Sequence, residues 1–480
     1  MSQTTSTIRS MGFFMNGGWS THGRELVVSS PYDNSVVAVV SEAERSDAEV
    51  AIESAVQALE VTRRLSSHQR ASILHEIVKG IIDRRDEFAR TICQEAAKPI
   101  KTARFEVERA ISTFQIAAEE STRIYGEYLP LDTLEGTAGR WGLVKRVPVG
   151  PVFGITPFNF PLNLVAHKVA PAIAAGCPLI LKPAPQTPIS ALMLAEIIDN
   201  TAWPDGAFAV MPLSNDSAGL LVEDDRIKLL TFTGSAAVGW ALKNKAGKKR
   251  VTLELGGNAG VIVHSDADVT HAVQRCVAGG FTYGGQTCIS VQRIFVHQPI
   301  FDQFKEQLVQ GVRKLKCGDP AADTTDVPPL VRERDAIRVV EWIDEAVQSG
   351  AKLLCGGKRK GSMVEPAVLT DTTPNMRVNS AEIFGPVVTL EPYETFDEAL
   401  RLINSSQYGL QAGLMTRDVG LIQTAFDEIE VGGLIVGDVP TFRMDQMPYG
   451  GVKDSGLGRE GVRYAMEDMT ERKLMVMAVK

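Results

Sequence analysis

Three residue types that could share one carbonyl reaction stand out along this chain of 480 residues. Cys288 follows paired glycines in the run Phe-Thr-Tyr-Gly-Gly-Gln-Thr-Cys-Ile-Ser that ends at Ser290. Gly284 and Gly285 permit backbone conformations that other residues resist, so a thiol can be held at a loop tip where a substrate reaches it. Such a thiol can attack an electrophilic carbon, although a free cysteine also serves as a small core hydrophobe. Glu254 lies inside the apolar run Val-Thr-Leu-Glu-Leu-Gly-Gly that ends at Gly257. Burial there raises a carboxyl's proton affinity and readies it as a general base, whereas on a half-exposed strand it is a solvated acid. Asn159, in Thr-Pro-Phe-Asn-Phe-Pro from Thr156 to Pro161, sits in a proline-stiffened turn. Its amide can donate to a developing oxyanion or cap the turn locally.

Other residues fit a nucleotide. The apolar run Ile227–Phe232 enters Thr-Gly-Ser and then a helical stretch, and a helix start of this kind offers free N–H groups to a phosphate. It is not the usual G-x-G-x-x-G. Lys182 closes the run Leu-Ile-Leu-Lys, at the strand end where open α/β sheets bind ligands. Glu382 precedes an aromatic residue and a tight turn in Glu-Ile-Phe-Gly-Pro.

These residues need a scaffold, and the periodicity supplies one. Between Val147 and Val263 short Val/Ile/Leu runs alternate with helical stretches at Leu162–Ala174, Ser190–Asp199 and Ala236–Lys245. The alternation predicts parallel strands joined by crossover helices, a doubly wound sheet. From Gly260 to about Gly437 a second series repeats it, with helices predicted at Val269–Val277, Ile300–Leu315, Arg334–Gln348 and Asp397–Ile403. Helices fill the stretch from Asp47 to Glu119. The apolar run Lys473–Val479 is read as a strand that pairs with another chain or domain.

The bulk numbers restrict the alternatives. The chain is too long for one hydrophobic core. With 44% hydrophobic residues, 22% charged and a net charge of −8, it reads as an ordinary soluble globular protein. The longest basic run is Lys248–Arg250, which argues against nucleic acid as a partner. No membrane-length apolar run and no signal-like N-terminus is found, pointing to the cytoplasm. Six scattered cysteines without C-x-x-C spacing fit a reducing compartment and no structural metal.

Taken together, the motifs resemble the aldehyde dehydrogenase superfamily across essentially the whole chain, on the side of its lactaldehyde, non-phosphorylating glyceraldehyde-3-phosphate and phosphonoacetaldehyde dehydrogenases. Thr-Pro-Phe-Asn-Phe-Pro, Leu-Lys-Pro, Phe-Thr-Gly-Ser, Leu-Glu-Leu-Gly-Gly, Gly-Gln-Thr-Cys, Glu-Ile-Phe-Gly-Pro and Pro-Tyr-Gly-Gly-Val-Lys-Asp-Ser-Gly occur in the family's order. The resemblance implies two doubly wound α/β domains and a small β oligomerisation element. The cofactor domain would comprise residues 1–120 and 144–253, the catalytic domain 254–437, and the oligomerisation element 121–143 and 456–480. It also implies a homo-oligomer, dimer or tetramer, with Lys473–Val479 extending a neighbour's sheet.

For the chemistry, it implies Cys288 as nucleophile, Asn159 with the Cys288 N–H as oxyanion donors, and Glu254 as the base that activates water on the thioester. Lys168 and Glu460 would relay protons. NAD or NADP would be held by Thr156, Pro157, Phe158, Lys182, Ala184, Pro185, Phe232, Gly234, Ser235, Val238, Glu254, Leu255, Gly256, Glu382 and Phe384. Phe158 stands where many members have Trp. Pro185 stands where NAD-preferring members often carry Glu, so nothing there repels a 2′-phosphate and both cofactors stay open.

The substrate tunnel implied by the resemblance is lined by Arg109, Phe160, Leu164, His167, Thr287, Ile289 and Arg443. Two guanidinium groups favour an anionic aldehyde, of the semialdehyde, glyceraldehyde-3-phosphate or phosphonoacetaldehyde kind, with lactaldehyde-like hydroxyaldehydes second. Either arginine could instead pair with an acid such as Glu106 or Asp445. Three other readings compete: a coenzyme A-acylating relative, a crystallin-like structural protein on the same fold, and a cofactor-free cysteine hydrolase. Glu254 argues against the first, retention of Cys288, Glu254 and Asn159 against the second, and Lys182, Gly234 and Glu382 against the third.

Overall fold

The computed structural model describes residues 9–479; residues 1–8, part of the Ser/Thr-rich N-terminus, lie outside them. Two large sheets dominate. An eight-stranded sheet runs in the order Gly456–Leu457, Arg250–Glu254, Leu229–Thr233, Val152–Ile155, Leu179–Lys182, Phe208–Val210, Phe13–Met15, Gly18–Ser20. Its five middle strands are parallel. A seven-stranded sheet runs Lys352–Cys355, Ala367–Thr370, Val387–Tyr393, Val291–His297, Ala259–Val263, Gln411–Met415, Gly433–Val436. All its pairings are parallel except that of the edge strand Lys352–Cys355. The fold is thus α/β, with two doubly wound sheets. Strands such as Leu179–Lys182 and Ala259–Val263 are buried throughout because helices cover both faces, and so their sequences lack polar alternation.

The strand boundaries follow the apolar runs closely, and the helix Ala236–Lys245 agrees residue for residue. The hairpin Phe13–Met15 with Gly18–Ser20 carries no comparable signal because its strands are only three residues long. The C-terminal strand finds a partner for one of its edges within its own chain. Thr470–Ala478 pairs antiparallel with Arg140–Pro148 of the same chain, and Glu127–Pro130 completes a three-stranded sheet. Among the described residues no strand lies beside its outer edge. The segment 456–480 also divides: Gly456–Leu457 joins the eight-stranded sheet, and the helix Val462–Asp468 packs on Asn163–Ala175. Among the described residues no helix is long and apolar enough to cross a membrane.

A buried ion pair fixes the elements nearest the site. Lys98 bonds Glu106, and both side chains are at most 1% exposed. The other Glu106 oxygen accepts from the N–H groups of Leu162 and Asn163 at 2.9 and 3.1 Å, satisfying two free donors at the start of the helix Asn163–Ala175. The Lys98 ammonium lies 3.5 Å from the Phe160 ring centroid and 4.7 Å from that of Tyr283. Tyr283 OH in turn donates to the Ala96 carbonyl at 2.8 Å. One cation therefore braces the turn that carries Asn159 and the loop that carries Cys288. Burial lowers the Lys98 pKa to about 8, the Glu106 charge working against it. Glu106→Gln leaves that cation without its counter-ion, so the unfolding free energy in urea is expected to fall by about 3–5 kcal/mol. An unchanged urea midpoint would refute this bracing role.

Candidate active site

The chain crosses from one large sheet to the other through Leu255-Gly256-Gly257-Asn258. The loops leaving the C-terminal ends of Val152–Ile155, Leu229–Thr233 and Arg250–Glu254 therefore meet those entering the N-terminal ends of Ala259–Val263, Val291–His297 and Val387–Tyr393. Between these two edges lies a cavity of about 440 Å³. Cys288, Glu254 and Asn159 all line it. Residues separated by up to 129 positions thus share one wall because both sheets present loops to the same gap.

Cys288 occupies the tip of a turn closed by Ser290 N–H donating to the Thr287 carbonyl at 2.9 Å. The preceding residues Tyr283, Gly284 and Gly285 take φ values of 55°, 62° and 71°, the left-handed geometry anticipated for the glycines and shared by the tyrosine. Gly257 must lack a side chain, because a Cβ there would stand 2.2 Å from the Cys288 carbonyl oxygen. The Cys288 N–H has no hydrogen-bond partner among the described residues. Asn159 Nδ2 donates to the Gln286 carbonyl at 2.9 Å, which fixes the amide and leaves its second N–H for another acceptor.

The electrostatics separate the two acids near the thiol. Burial pushes the Glu254 carboxyl up to about 7, and the neighbouring Glu460 charge adds to this. Glu460 takes the opposite course: against its own burial, Lys168 and Arg443 hold it at about 2. Lys168 Nζ donates to Glu460 at 3.3 Å and to the hydroxyls of Thr231 and Thr233 at 3.0 and 2.9 Å. Burial, with the facing Glu254 charge, raises the Cys288 thiol well above its ordinary range. The thiol is accordingly protonated at rest, beside a carboxyl poised near neutrality. Glu254 Oε1 has no hydrogen-bond partner of its own.

Both arginines border the cavity, and both are held by acids. Arg109 Nη2 donates to Asp445 at 2.5 Å, which is one of the pairings considered from the sequence. Arg443 Nη2 donates to Glu460 at 2.9 Å, a partner not anticipated. The Nε of each arginine lacks a partner among the described residues. His167 is a correction. It does not line the cavity but lies behind it, 2% exposed, with Nε2 2.9 Å from the same Asp445 oxygen. Leu164 of the same helix reaches the cavity, whereas the His167 ring is engaged by Asp445. Phe160, Leu164, Thr287 and Ile289 do line the cavity.

Of the residues assigned to the cofactor, Pro157, Phe158, Gly234, Ser235, Glu254, Leu255, Gly256, Glu382 and Phe384 line the same cavity. Thr156, Lys182, Ala184, Pro185, Phe232 and Val238 do not. Thr156 and Lys182 remain at the C-terminal edge of the eight-stranded sheet, where Thr156 N–H donates to the Lys182 carbonyl at 3.1 Å. Lys168 and Glu460 lie behind the wall. The chain's own shape leaves room for a nucleotide. A Cβ on Gly256 would come within 2.3 Å of a Glu382 oxygen, so glycine there admits the Glu382 carboxyl, which burial raises to about 7. The helix Ala236–Lys245 starts at the cavity's edge, and Ser235 places no side-chain cap on its first N–H groups. Lys182 Nζ has no hydrogen-bond partner among the described residues.

Sequence reasoning missed Tyr449, Arg332, Asp335 and Arg338, all on the cavity wall. Arg332, Asp335 and Arg338 lie at the start of the amphipathic helix Glu333–Gln348, where charges ordinarily face solvent, so no local signal distinguished them. Tyr449 lay within a motif already quoted, Pro-Tyr-Gly-Gly, without a role.

The chain belongs to the aldehyde dehydrogenase family, whose model matches residues 19–475. It is an NAD(P)-dependent enzyme of that class. It is 43% identical to 3-sulfolactaldehyde dehydrogenase of Priestia aryabhattai over 98% of each chain. Among solved structures it resembles aldehyde dehydrogenase 21 from Physcomitrella patens in complex with the reaction product succinate, at 46% identity and a TM-score of 0.96, covering 98% of this chain and 99% of that one. It also resembles the glyceraldehyde-3-phosphate dehydrogenase of Methanocaldococcus jannaschii complexed with NADP, at 38% identity and a TM-score of 0.92, covering 95% of this chain and all of that one.

Proposed function

We propose that this enzyme oxidises a short aldehyde bearing a negative group, through covalent intermediates on Cys288. The observation that carries the reading is the meeting of Cys288, Glu254 and Asn159 with Arg109 and Arg443 around one cavity. Glu254, half-ionised near neutral pH, takes the thiol proton, and the thiolate attacks the aldehyde carbon. The free N–H of Cys288 and the second Asn159 N–H stabilise the resulting oxyanion. When bound, the cofactor supplies the hydride acceptor that converts the adduct to a thioester. Glu254 then activates the water that releases the acid, and Lys168 with Glu460 passes its proton onward.

Glu382 and Arg338 would hold the nicotinamide end, the Gly234–Ser235 turn the pyrophosphate and Lys182 the adenosine ribose. Phe384, edge-on to Phe158 at 5.9 Å, would pack against the ring. In this assignment the eight-stranded unit carries the cofactor and the seven-stranded unit the thiol. With Pro185 in place of a carboxylate, a 2′-phosphate meets no opposing charge, so NAD and NADP are both accepted. The exposed strand Thr470–Ala478 would extend a second copy's sheet in a cytoplasmic homo-oligomer.

The anionic group of the substrate would be bound by the two guanidiniums, whose unpartnered Nε–H groups and fixed orientation suit a carboxylate or sulfonate. The related sulfolactaldehyde and succinate-producing enzymes handle molecules of this kind. The test is kcat/KM with each cofactor for succinate semialdehyde, sulfolactaldehyde, glyceraldehyde-3-phosphate, lactaldehyde and hexanal. Arg109→Met is expected to lower the value for the preferred anionic aldehyde by about 100-fold, chiefly through KM, and to leave hexanal within about threefold. Equal losses for hexanal in Arg109→Met, or an unchanged anionic substrate in Arg443→Ala, would sink the anion reading.

A further inference from the structure

Tyr449 touches the thiol directly, and neither the general chemistry nor the substrate reading uses it. Its hydroxyl lies 3.1 Å from Cys288 Sγ. The ring is buried, 1% exposed, and packs with Ile289 and Leu410 around the cysteine. Above it lies the Arg443 guanidinium, with Cζ 3.6 Å from the ring centroid. Arg443 cannot swing away, because Glu460 holds it at 2.9 Å and Lys168 holds Glu460. A fixed ring, a fixed cation and a short contact to sulfur therefore form one stack.

The physics of that stack has a direction. A cation over an aromatic face withdraws electron density, which strengthens the phenolic O–H as a donor. Burial opposes ionisation of the phenol itself, so it keeps its proton and donates it. The atom in reach is the sulfur that must become negative when Glu254 takes its proton. A hydrogen bond to the charged form favours that form, and this one counters the burial and the Glu254 charge that oppose it.

We propose that Tyr449, polarised by Arg443, is a positioning residue that donates to the Cys288 thiolate and sets how readily it forms. The proposal rests on Cys288 being the nucleophile and adds a group that stabilises its reactive state. Once the sulfur bonds to the aldehyde carbon its negative charge is gone, so the help is confined to the steps before attack.

The experiment is the pH dependence of Cys288 alkylation by iodoacetamide in the full-length enzyme, followed by peptide mass spectrometry so that Cys317 and Cys355 are counted separately. In Tyr449→Phe the apparent pKa of alkylation is expected to rise by about one unit. The kcat/KM for both succinate semialdehyde and hexanal should then fall about tenfold at neutral pH, without a change in their ratio. Placing 3-fluorotyrosine at 449, a stronger donor of nearly the same shape, should move the alkylation pKa down, and it keeps the test decisive should the phenylalanine variant fold poorly. Superimposed alkylation profiles for the native and 3-fluorotyrosine proteins would overturn the proposal. Loss of activity in step with Cys288 alkylation in the native enzyme tests the nucleophile assignment on its own, so the two can fail separately.

Discussion

Cys288→Ala is expected to lower kcat/KM for every aldehyde by at least about 10⁴-fold while leaving cofactor binding measurable by fluorescence titration. The size of the loss follows from the site. Cys93, Cys177 and Cys276 are buried elsewhere, and Cys317 and Cys355 lie off the cavity, so no other thiol can substitute. The Asn159 amide and the turn N–H at 288 would still polarise a carbonyl, yet without a bond to sulfur there is no adduct to oxidise. A variant retaining more than about a hundredth of native activity would contradict covalent catalysis and revive a direct route.

Glu254→Gln is expected to give the second largest effect, and a different one. With Gln the thioester forms slowly and then stalls, so steady-state turnover falls by about 10²–10⁴-fold while rapid mixing at high pH still yields up to one reduced cofactor per site. The pH profile carries the same assignment. Glu254 has its proton affinity raised to about 7, and only its ionised form can accept a proton. Native kcat should therefore increase as pH rises through about 7, and this acid limb should disappear in Glu254→Gln. Retention of the limb in the variant would place the titrating group elsewhere. Acyl transfer to added coenzyme A at a rate matching native hydrolysis would favour the acylating alternative instead.

What could be read from sequence is unequal, for physical reasons. Cys288, Glu254 and Asn159 each sit at or within a few residues of a strand end inside a local motif, and local motifs survive translation into structure because short-range geometry is written in neighbouring residues. The parallel strands were legible for the same reason: a strand buried on both faces is a continuous apolar run. Partnerships across long separations were not. Arg109 and Asp445 are 336 positions apart, and Thr470–Ala478 finds Arg140–Pro148 only after the whole chain has folded. His167 was assigned to the cavity wall because its helix, Asn163–Ala175, is buried on every side and its sequence does not mark which face looks inward. Tyr449 was overlooked because a tyrosine beside glycines reads as turn packing until the sulfur is seen 3.1 Å from its hydroxyl.

The two sheet edges that enclose the cavity supply Cys288, Glu254 and Asn159, but the arginines come from elsewhere. Arg109 projects from the helix Ile100–Ser121, and Arg443 from the loop after Gly433–Val436. On the proposed reading, bond-making and substrate choice would be carried by separate parts of the chain. Arg109 is the more separable of the two, because Arg443 also braces Glu460 and Tyr449. A descendant could replace the helix face around Arg109, and with it the aldehyde it accepts, while the reacting residues stay where two rigid sheets hold them.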